Sequence, residues 1–323
     1  MHKTKLTAML SVVLLFLFPA FGWTMIASNS SNVTLLDMED QGIQLFLGAS
    51  IDVENGDMTY IIQGSEDGGW KSELEWPLEN IVYIGGVASV DFRRKFQVNA
   101  GIWTSVTDDA GKMKDSDWLF GFYGDQRVIY SETEATVDST QFDVNLRYNF
   151  LSRETLSLGA ILGYSYTKWD WKAGNGFQTT IDPFTFFQGP IEGIGITYEE
   201  KIQVPYLGLA LSMFPLNSSF GFNVYTLYSP IAQCDDEDDH IQRFKLSTGE
   251  TDGTFLSLGG DLRWKFTDSW SLTGRINYTS YDLEGEQNQS FYAGENAGIR
   301  FENIDLTVEG SQVYIGLMLG YEL

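Results

Sequence analysis

The chain has 323 residues, with 44 acidic and 20 basic side chains and a formal net charge of −24 at pH 7. Phosphate-binding surfaces need lysine and arginine, so this charge argues against nucleic acid as a partner and favours basic peptides or other cations. The single cysteine excludes an internal disulfide framework, while 33 glycines and 15% aromatic residues favour a protein built of strands.

The first 22 residues are typical of a secretory signal. Lys3 and Lys5 precede an apolar run that ends in small residues. A cut after Ala27 also fits, because the next residues are small and polar. Removing residues 1–22 takes away both lysines and no acid, which leaves a net charge of about −26. We expect an exported chain whose mature part, residues 23–323, is one domain.

Beyond the signal, no stretch approaches the roughly 20 apolar residues of a membrane helix. Apolar and polar residues alternate instead. In 254–266 the even positions from Leu256 to Phe266 are mostly apolar, whereas Asp261, Arg263 and Lys265 share the other face. A charged inner face and an apolar outer face reverse the pattern of a soluble sandwich. Such period-2 segments, with aromatics near their ends, are the signature of an outer-membrane barrel.

Short turns and long loops alternate along the chain, and together they predict ten antiparallel strands. The long loops face the outside in this arrangement, and the short turns face the periplasm. Two predicted strands, 96–118 and 191–214, are longer than a membrane crossing requires, so the barrel should stand above the membrane. The predicted short turns are 91–95, 151–155, 215–219 and 266–269, and the predicted long loops lie near 63–70, 119–135, 173–190, 241–252 and 284–303.

Two acidic clusters lie where a rising strand reaches the outside: Asp115 with Asp117, and Asp236 with Asp238 and His240. Residues two apart share one face of a strand, so each cluster presents its side chains together. In the first strand the odd positions form the more polar row, which points both aspartates inward if no bulge intervenes.

The second cluster requires a register shift. The even positions Phe220, Val224 and Tyr228 look lipid-facing, so uninterrupted alternation would also turn His240 outward. Pro230 lies between them, and proline within a sheet is tolerated at bulges or edges. A bulge near Pro230 would aim the acidic row inward.

When two carboxylates are held close together, the pKa of one of them rises and the pair can share a proton. An aspartate beside a histidine fixes the tautomer of the ring and makes it more basic, as a general base requires. Together they predict peptide hydrolysis by an activated water. Other interpretations remain open. An acidic run is often a solvated or cation-binding loop, although the calcium-loop spacing is absent. Cys234 could act as a thiol nucleophile or be incidental, and the aromatics of 163–172 are typical of an interfacial girdle.

The residues resemble the omptins, outer-membrane aspartyl endopeptidases of Gram-negative bacteria. The resemblance extends over residues 44 to 323. It implies a ten-stranded barrel whose active-site groove opens at the extracellular rim. The motifs that carry it are "GGWKSELEW" (68–76), "GKMKDSDW" (111–118), "LGAILGYSY" (158–166), "EEKIQVPYLGL" (199–209) and "CDDEDDH" (234–240).

The resemblance also implies the catalytic residues. Asp115 and Asp117 would be the aspartate couple, and Asp238 with His240 the Asp–His dyad, with the attacking water between the two pairs. No metal or other cofactor is implied. The expected substrates are basic or dibasic peptides and proteins, and we expect a monomer.

By the same resemblance, Asp236 and Asp57 would form the pocket for the basic residue before the scissile bond. Asp57 replaces the family's usual glutamate, which leaves the choice between lysine and arginine open. Tyr164, Lys168 and Lys201 would bind lipopolysaccharide, on which activity could depend. Lysine replaces arginine at two of these positions, so weaker or differently shaped binding is expected.

Two other functions remain possible from the sequence. An acidic rim alone would suit a non-enzymatic barrel, either an adhesin or a cation-collecting pore. A lipid-modifying barrel enzyme would require a serine working with a histidine, and His240 has no flanking serine motif.

Overall fold

The computed structural model describes residues 42–65, 68–216 and 218–323. The predicted signal, residues 1–22, lies outside the described residues. A short helix, Phe120–Tyr123, and a 3-10 turn, Ile241–Arg243, accompany the strands. Within the described ranges the strands are β1 (Ile43–Gly64), β2 (Trp70–Phe92), β3 (Phe96–Ser105), β4 (Asp109–Leu119), β5 (Arg127–Ser152), β6 (Leu156–Thr180), β7 (Gly189–Met213), β8 (Phe220–His240), β9 (Lys245–Lys265), β10 (Trp270–Phe291) and β11 (Arg300–Glu322).

The strands form a closed antiparallel barrel. β1 pairs with β2 on one side and with β11 on the other, from Phe46 opposite Glu322 to Gln63 opposite Asp305. β3 and β4 lie end to end between β2 and β5, so the strands occupy ten positions around the ring. The predicted ten-stranded barrel is confirmed. Across the described part of the chain, no helix is long and apolar enough to span a membrane.

The connections differ at the two ends of the barrel. Strands end and restart at all four predicted short turns, which are confirmed. The predicted long loops are wrong in extent, because β5 already begins at Arg127, β6 continues to Thr180 and β9 begins at Lys245. Polar residues indicated loops there because a strand above the membrane can carry polar side chains on its outer face as well as its inner one.

Large apolar side chains face outward around the lower part of the barrel. Their even distribution over the strands marks the surface that contacts lipid. This ring defines the membrane-spanning part. Exposed members include Leu47, Ile51, Ile84, Ile102, Leu146, Leu162, Leu207, Leu209, Val224, Leu272, Ile276, Ile315, Leu317 and Leu319.

The interior of the same region is polar and hydrogen-bonded. Arg147 donates from Nη1 to Asn223 Oδ1 at 3.1 Å and from Nη2 to Ser212 Oγ at 2.9 Å. Arg275 donates from Nε to Asp52 Oδ1 at 2.6 Å. Buried charges are tolerated when they are paired and bonded in this way. The predicted charged interior is therefore present.

An aromatic layer fills the interior above the membrane. The ring of Trp76 lies 5.2 Å from that of Tyr198 and 5.8 Å from that of Trp171, which stacks on Trp169 at 5.6 Å. The prediction of an interfacial girdle is wrong for Trp169 and Trp171, because their positions on β6 alternate inward. The layer is fully buried, and it flanks the acidic clusters with a rigid apolar wall.

Candidate active site

A bulge in β8 sets the direction of the second acidic cluster. Ser229 faces Phe255 and Ala232 faces Gly253, so β8 advances three residues while β9 advances two. Pro230 lies within this extra turn of chain, where no ladder hydrogen bond needs its missing amide proton. The predicted register shift near Pro230 is confirmed.

Above the bulge, the even residues of β8 face the interior. Asp236, Asp238 and His240 are 6%, 2% and 5% exposed, whereas their neighbours Asp235 and Glu237 are exposed. A strand whose lower even positions face lipid therefore presents three titratable groups to the groove.

The first cluster also points inward, but by a different route from the one expected. The strand is interrupted at 106–108 and then gains one residue, since Asp109 and Gly111 face consecutive residues of β5. Gly111 has φ of 101°, a conformation that glycine adopts without strain. The inward direction was predicted on the condition that no bulge intervenes, and this condition is not met. Because the two shifts cancel, Asp115 is buried and Asp117 lies on the same inner face.

The two clusters lie on opposite walls of the barrel, with four positions separating β4 and β8 around the ring of ten. Burial is the main cause that raises the pKa of Asp115, and the charges of Asp117 and Asp238 add to it; the net value is about 7. Because both acidic rows point into the interior from these two strands, the clusters face one another across the groove. Arg243 and Lys245 counteract this rise from the same side of the groove as His240.

Asp238 and His240 form a close pair, with 2.9 Å between Asp238 Oδ2 and His240 Nε2. Burial lowers the pKa of His240 below the usual 6.5, and the attraction of Asp238 only partly offsets this. Burial is the largest single influence on Asp238 and would raise its pKa, but the charge and hydrogen bond of His240, together with the charges of Lys245 and Arg243, lower the pKa overall. At neutral pH the carboxylate is therefore charged and the imidazole neutral, which is the state a general base needs.

The structure does not bring Asp57 to this groove. Its neighbour Met58 faces the interior and is 1% exposed, so Asp57 lies on the outward row of β1. On the outer wall, the hydrogen bond to Glu75 is the main cause that raises the pKa of Lys114, and the charge of Asp57 contributes to the rise. The expectation that Asp57 forms a wall of the pocket is therefore corrected. At this height of β1 the even-numbered residues face the interior, and Asp57 is odd-numbered.

A buried acid that the sequence reasoning missed, Glu200, lies opposite Asp236 on the neighbouring strand β7. It is completely buried. The signal was present in the motif "EEKIQVP", because two successive glutamates on one strand must face opposite sides. Its partner in the motif, Glu199, faces outward.

The three residues expected to contact lipopolysaccharide lie together on the outer wall. Lys168 on β6 is the register partner of Lys201 on β7. Tyr164 lies four residues below Lys168 on β6, and its hydroxyl donates to Gln203 Oε1 at 3.0 Å. Both ammonium groups bond to the Glu199 carboxylate, that of Lys168 at 2.6 Å. Any phosphate at this place would compete with that carboxylate.

The Cys234 thiol is a poor candidate for a nucleophile. Burial raises the pKa of the Cys234 thiol well above its usual value, and a buried neutral thiol is inert as a nucleophile. Among the residues with described positions, no three histidine, cysteine, aspartate or glutamate side chains are grouped so that they could hold a metal ion.

Comparison with known proteins gives consistent matches. The model of the Omptin family matches residues 42–321. The plasminogen activator of Yersinia pestis is 25% identical over 278 residues, covering 81% of this chain and 86% of the relative. Protease 7 of Escherichia coli K12 is 26% identical over 273 residues, covering 75% and 82% of the two chains.

The fold agrees with these matches. The crystal structure of outer membrane protease OmpT from Escherichia coli superimposes with a TM-score of 0.75 at 19% identity, covering 89% of this chain and 99% of that one. The family match extends over nearly all of the described barrel, and the barrel carries the apolar outer ring of a membrane protein. The chain therefore belongs to the omptin family and is a β-barrel protease of the outer membrane.

Proposed function

We propose that this protease is an endopeptidase that cleaves peptides and proteins beside basic residues, with a water molecule as the nucleophile. The supporting observation is that Asp115 and Asp117 on one wall face Asp238 and His240 on the other. His240 is neutral and lies 2.9 Å from an ionised carboxylate. The site opens at the extracellular end of the barrel.

The proposed reaction has two proton transfers. The water oxygen adds to the carbonyl carbon while His240 takes one of its protons. Asp115, which retains a proton below about pH 7, donates a hydrogen bond to the carbonyl oxygen as negative charge develops there. His240 then gives its proton to the amide nitrogen as the carbon–nitrogen bond breaks. The water oxygen becomes one of the two oxygens of the new carboxylate, and no covalent bond forms between substrate and enzyme.

Basic substrates suit both the whole surface and the groove. The net charge of −24 attracts cations over long distances, and Asp236 lies two residues below the dyad on the same inner face. A cation-collecting pore, the alternative from the sequence, would need an open interior. The aromatic layer of Trp76, Trp171 and Tyr198 occupies that space.

Removing either side of the proposed machinery should stop cleavage. Asp115→Ala and His240→Ala are each expected to lower kcat/KM on a quenched peptide with a dibasic centre by at least about 100-fold, the usual contribution of acid–base groups. Asp239→Asn, which alters the outward neighbour of the same residues, is the matched control. Equal rates in wild type and both alanine variants would refute the assignment.

The pH dependence of kcat should be bell-shaped. Below the pKa of His240, which is lower than 6.5, the ring is protonated and cannot accept a proton. Above about 7, Asp115 loses the proton that it donates; Asp117, Asp238, Arg243 and Lys245 are the charged groups that tune it. Stopped assays at saturating peptide from pH 5 to 9 measure both limbs. A kcat that keeps rising to pH 9 would contradict the role of Asp115.

We also propose that lipopolysaccharide binds the outer wall at Tyr164, Lys168 and Lys201. Exposed Leu162 and Leu207 lie directly below Tyr164, and Lys168 and Lys201 lie above Tyr164 on the same two strands, on the side of the apolar ring where lipid phosphates would lie. Glu199 already bonds to both lysines. A lipid phosphate must therefore displace the Glu199 carboxylate from both lysines. Lysine lacks the bidentate contact that arginine makes with phosphate, so we expect modest affinity.

Refolding the protein in detergent with and without lipopolysaccharide tests this site. Cleavage by wild type should increase on adding the lipid, and the double variant Lys168→Gln with Lys201→Gln should need a higher lipid concentration for the same increase. Lys172→Gln, higher on the same strand, is the control. Full activity in lipid-free detergent would rule the requirement out.

A further inference from the structure

Two buried carboxylates lie side by side below the catalytic dyad. Glu200 on β7 and Asp236 on β8 are register partners, and both side chains point inward. Within the part of the chain that the structure describes, none of their four oxygens accepts a hydrogen bond of ordinary geometry. Burying such groups unpaired is costly, so an arrangement of two indicates a site for a positively charged group.

The walls around the pair are aromatic. Tyr198 lies directly above Glu200 on the same face of β7, and its ring packs edge to face against Tyr60 at 5.6 Å between centroids. Tyr60 belongs to the facing strand β1. Burial raises the pKa of Tyr60 well above its usual value, and the charge of Asp236 is the next largest cause. Aromatic faces attract cations, and guanidinium groups in particular stack on them.

The pKa values of the two carboxyl groups are raised, as expected for buried acids with no cation beside them among the described residues. Burial, with the charge of Asp236 added, raises the pKa of Glu200 to about 8, and burial, with the charges of Asp238 and Asp235 added, raises the pKa of Asp236 to about 8. Weaker contacts, from the Tyr198 hydroxyl to Glu200 and from the Gly249 amide to Asp236, lower both values without restoring them. A bound cation would restore the ionised forms.

We propose that Glu200 is the second carboxylate of the pocket that holds the basic side chain before the scissile bond, the place expected for Asp57. This rests on the proposed endopeptidase function. The dyad lies at the mouth of the pocket, since Tyr198 is the register partner of Asp238 and Glu200 that of Asp236. A lysine or arginine that extends past the dyad would meet both carboxylates, and the aromatic walls would line its aliphatic stem.

The experiment compares three peptides that differ only at the residue before the cleaved bond: arginine, lysine, or citrulline, which has the shape of arginine without its charge. Wild type should prefer arginine to citrulline strongly in kcat/KM. In Glu200→Gln this preference should fall by roughly 10- to 100-fold, mostly through KM, as expected when one partner of a buried charge pair is lost. Glu237→Gln, an exposed glutamate on β8, is the matched control and should keep the wild-type ratio.

The outcomes separate the two levels of the account. If wild type cleaves none of the peptides, the endopeptidase function itself fails. If wild type prefers arginine and Glu200→Gln keeps the same ratio, the function stands and the role of Glu200 is overturned.

A second variant covers the case in which Glu200→Gln does not assemble. Glu200→Asp keeps the charge but shortens its reach by one methylene, so the ratio of arginine to lysine cleavage should rise, because arginine is the longer side chain. An unchanged arginine-to-lysine ratio in Glu200→Asp would overturn the proposal as well.

Discussion

One extra residue in β8, between Ser229 and Ala232, determines where Asp236, Asp238 and His240 of the proposed site point. Below it, a lipid-facing strand must place its apolar residues at even positions. Above it, the same strand places Asp236, Asp238 and His240 at even positions facing inward. The bulge lets one strand meet the requirements of the membrane and of the site, which uninterrupted alternation would set against each other.

Burial then gives those acids their chemistry. The aromatic layer around Trp76, Trp171 and Tyr198 closes the interior beside the groove, so charged groups there interact strongly and water is limited. Under these conditions Asp115 retains a proton near neutrality while His240 stays neutral. The acidic surface outside draws in basic substrates, and the acids inside are arranged so that a cation can be held while a water is activated.

Alternation made most of the fold and part of the site predictable from the sequence. Strand number followed from the alternation of short turns with longer polar stretches, and the bulge near Pro230 followed from apolar residues that must face lipid, because that requirement fixes parity. The break at 106–108 could not be foreseen, since Val106 is the one apolar residue in 104–109 and a single residue gives parity no second point of reference. The long loops were overestimated for the same reason.

Two errors of orientation have a common cause. Asp57 was assigned by resemblance, but the inward row of β1 contains Met58 and Tyr60, which leaves Asp57 on the outer wall. Glu200 was overlooked although its neighbour Glu199 faces out. Alternation decides both cases once one residue on each strand is known to be inside. Where resemblance and alternation disagree on a strand, the physical constraint of the pleat is the better guide.

Deleting Ile231, an exposed residue inside the bulge, tests the central claim most directly. The deletion removes the extra residue and should turn the acidic row of β8 outward, so cleavage of a dibasic peptide should fall by at least about 100-fold although the barrel assembles. Inserting one alanine between Cys234 and Asp235 in the same variant restores the original parity and should recover most of the activity. A deletion variant that assembles and cleaves as fast as wild type would contradict the account.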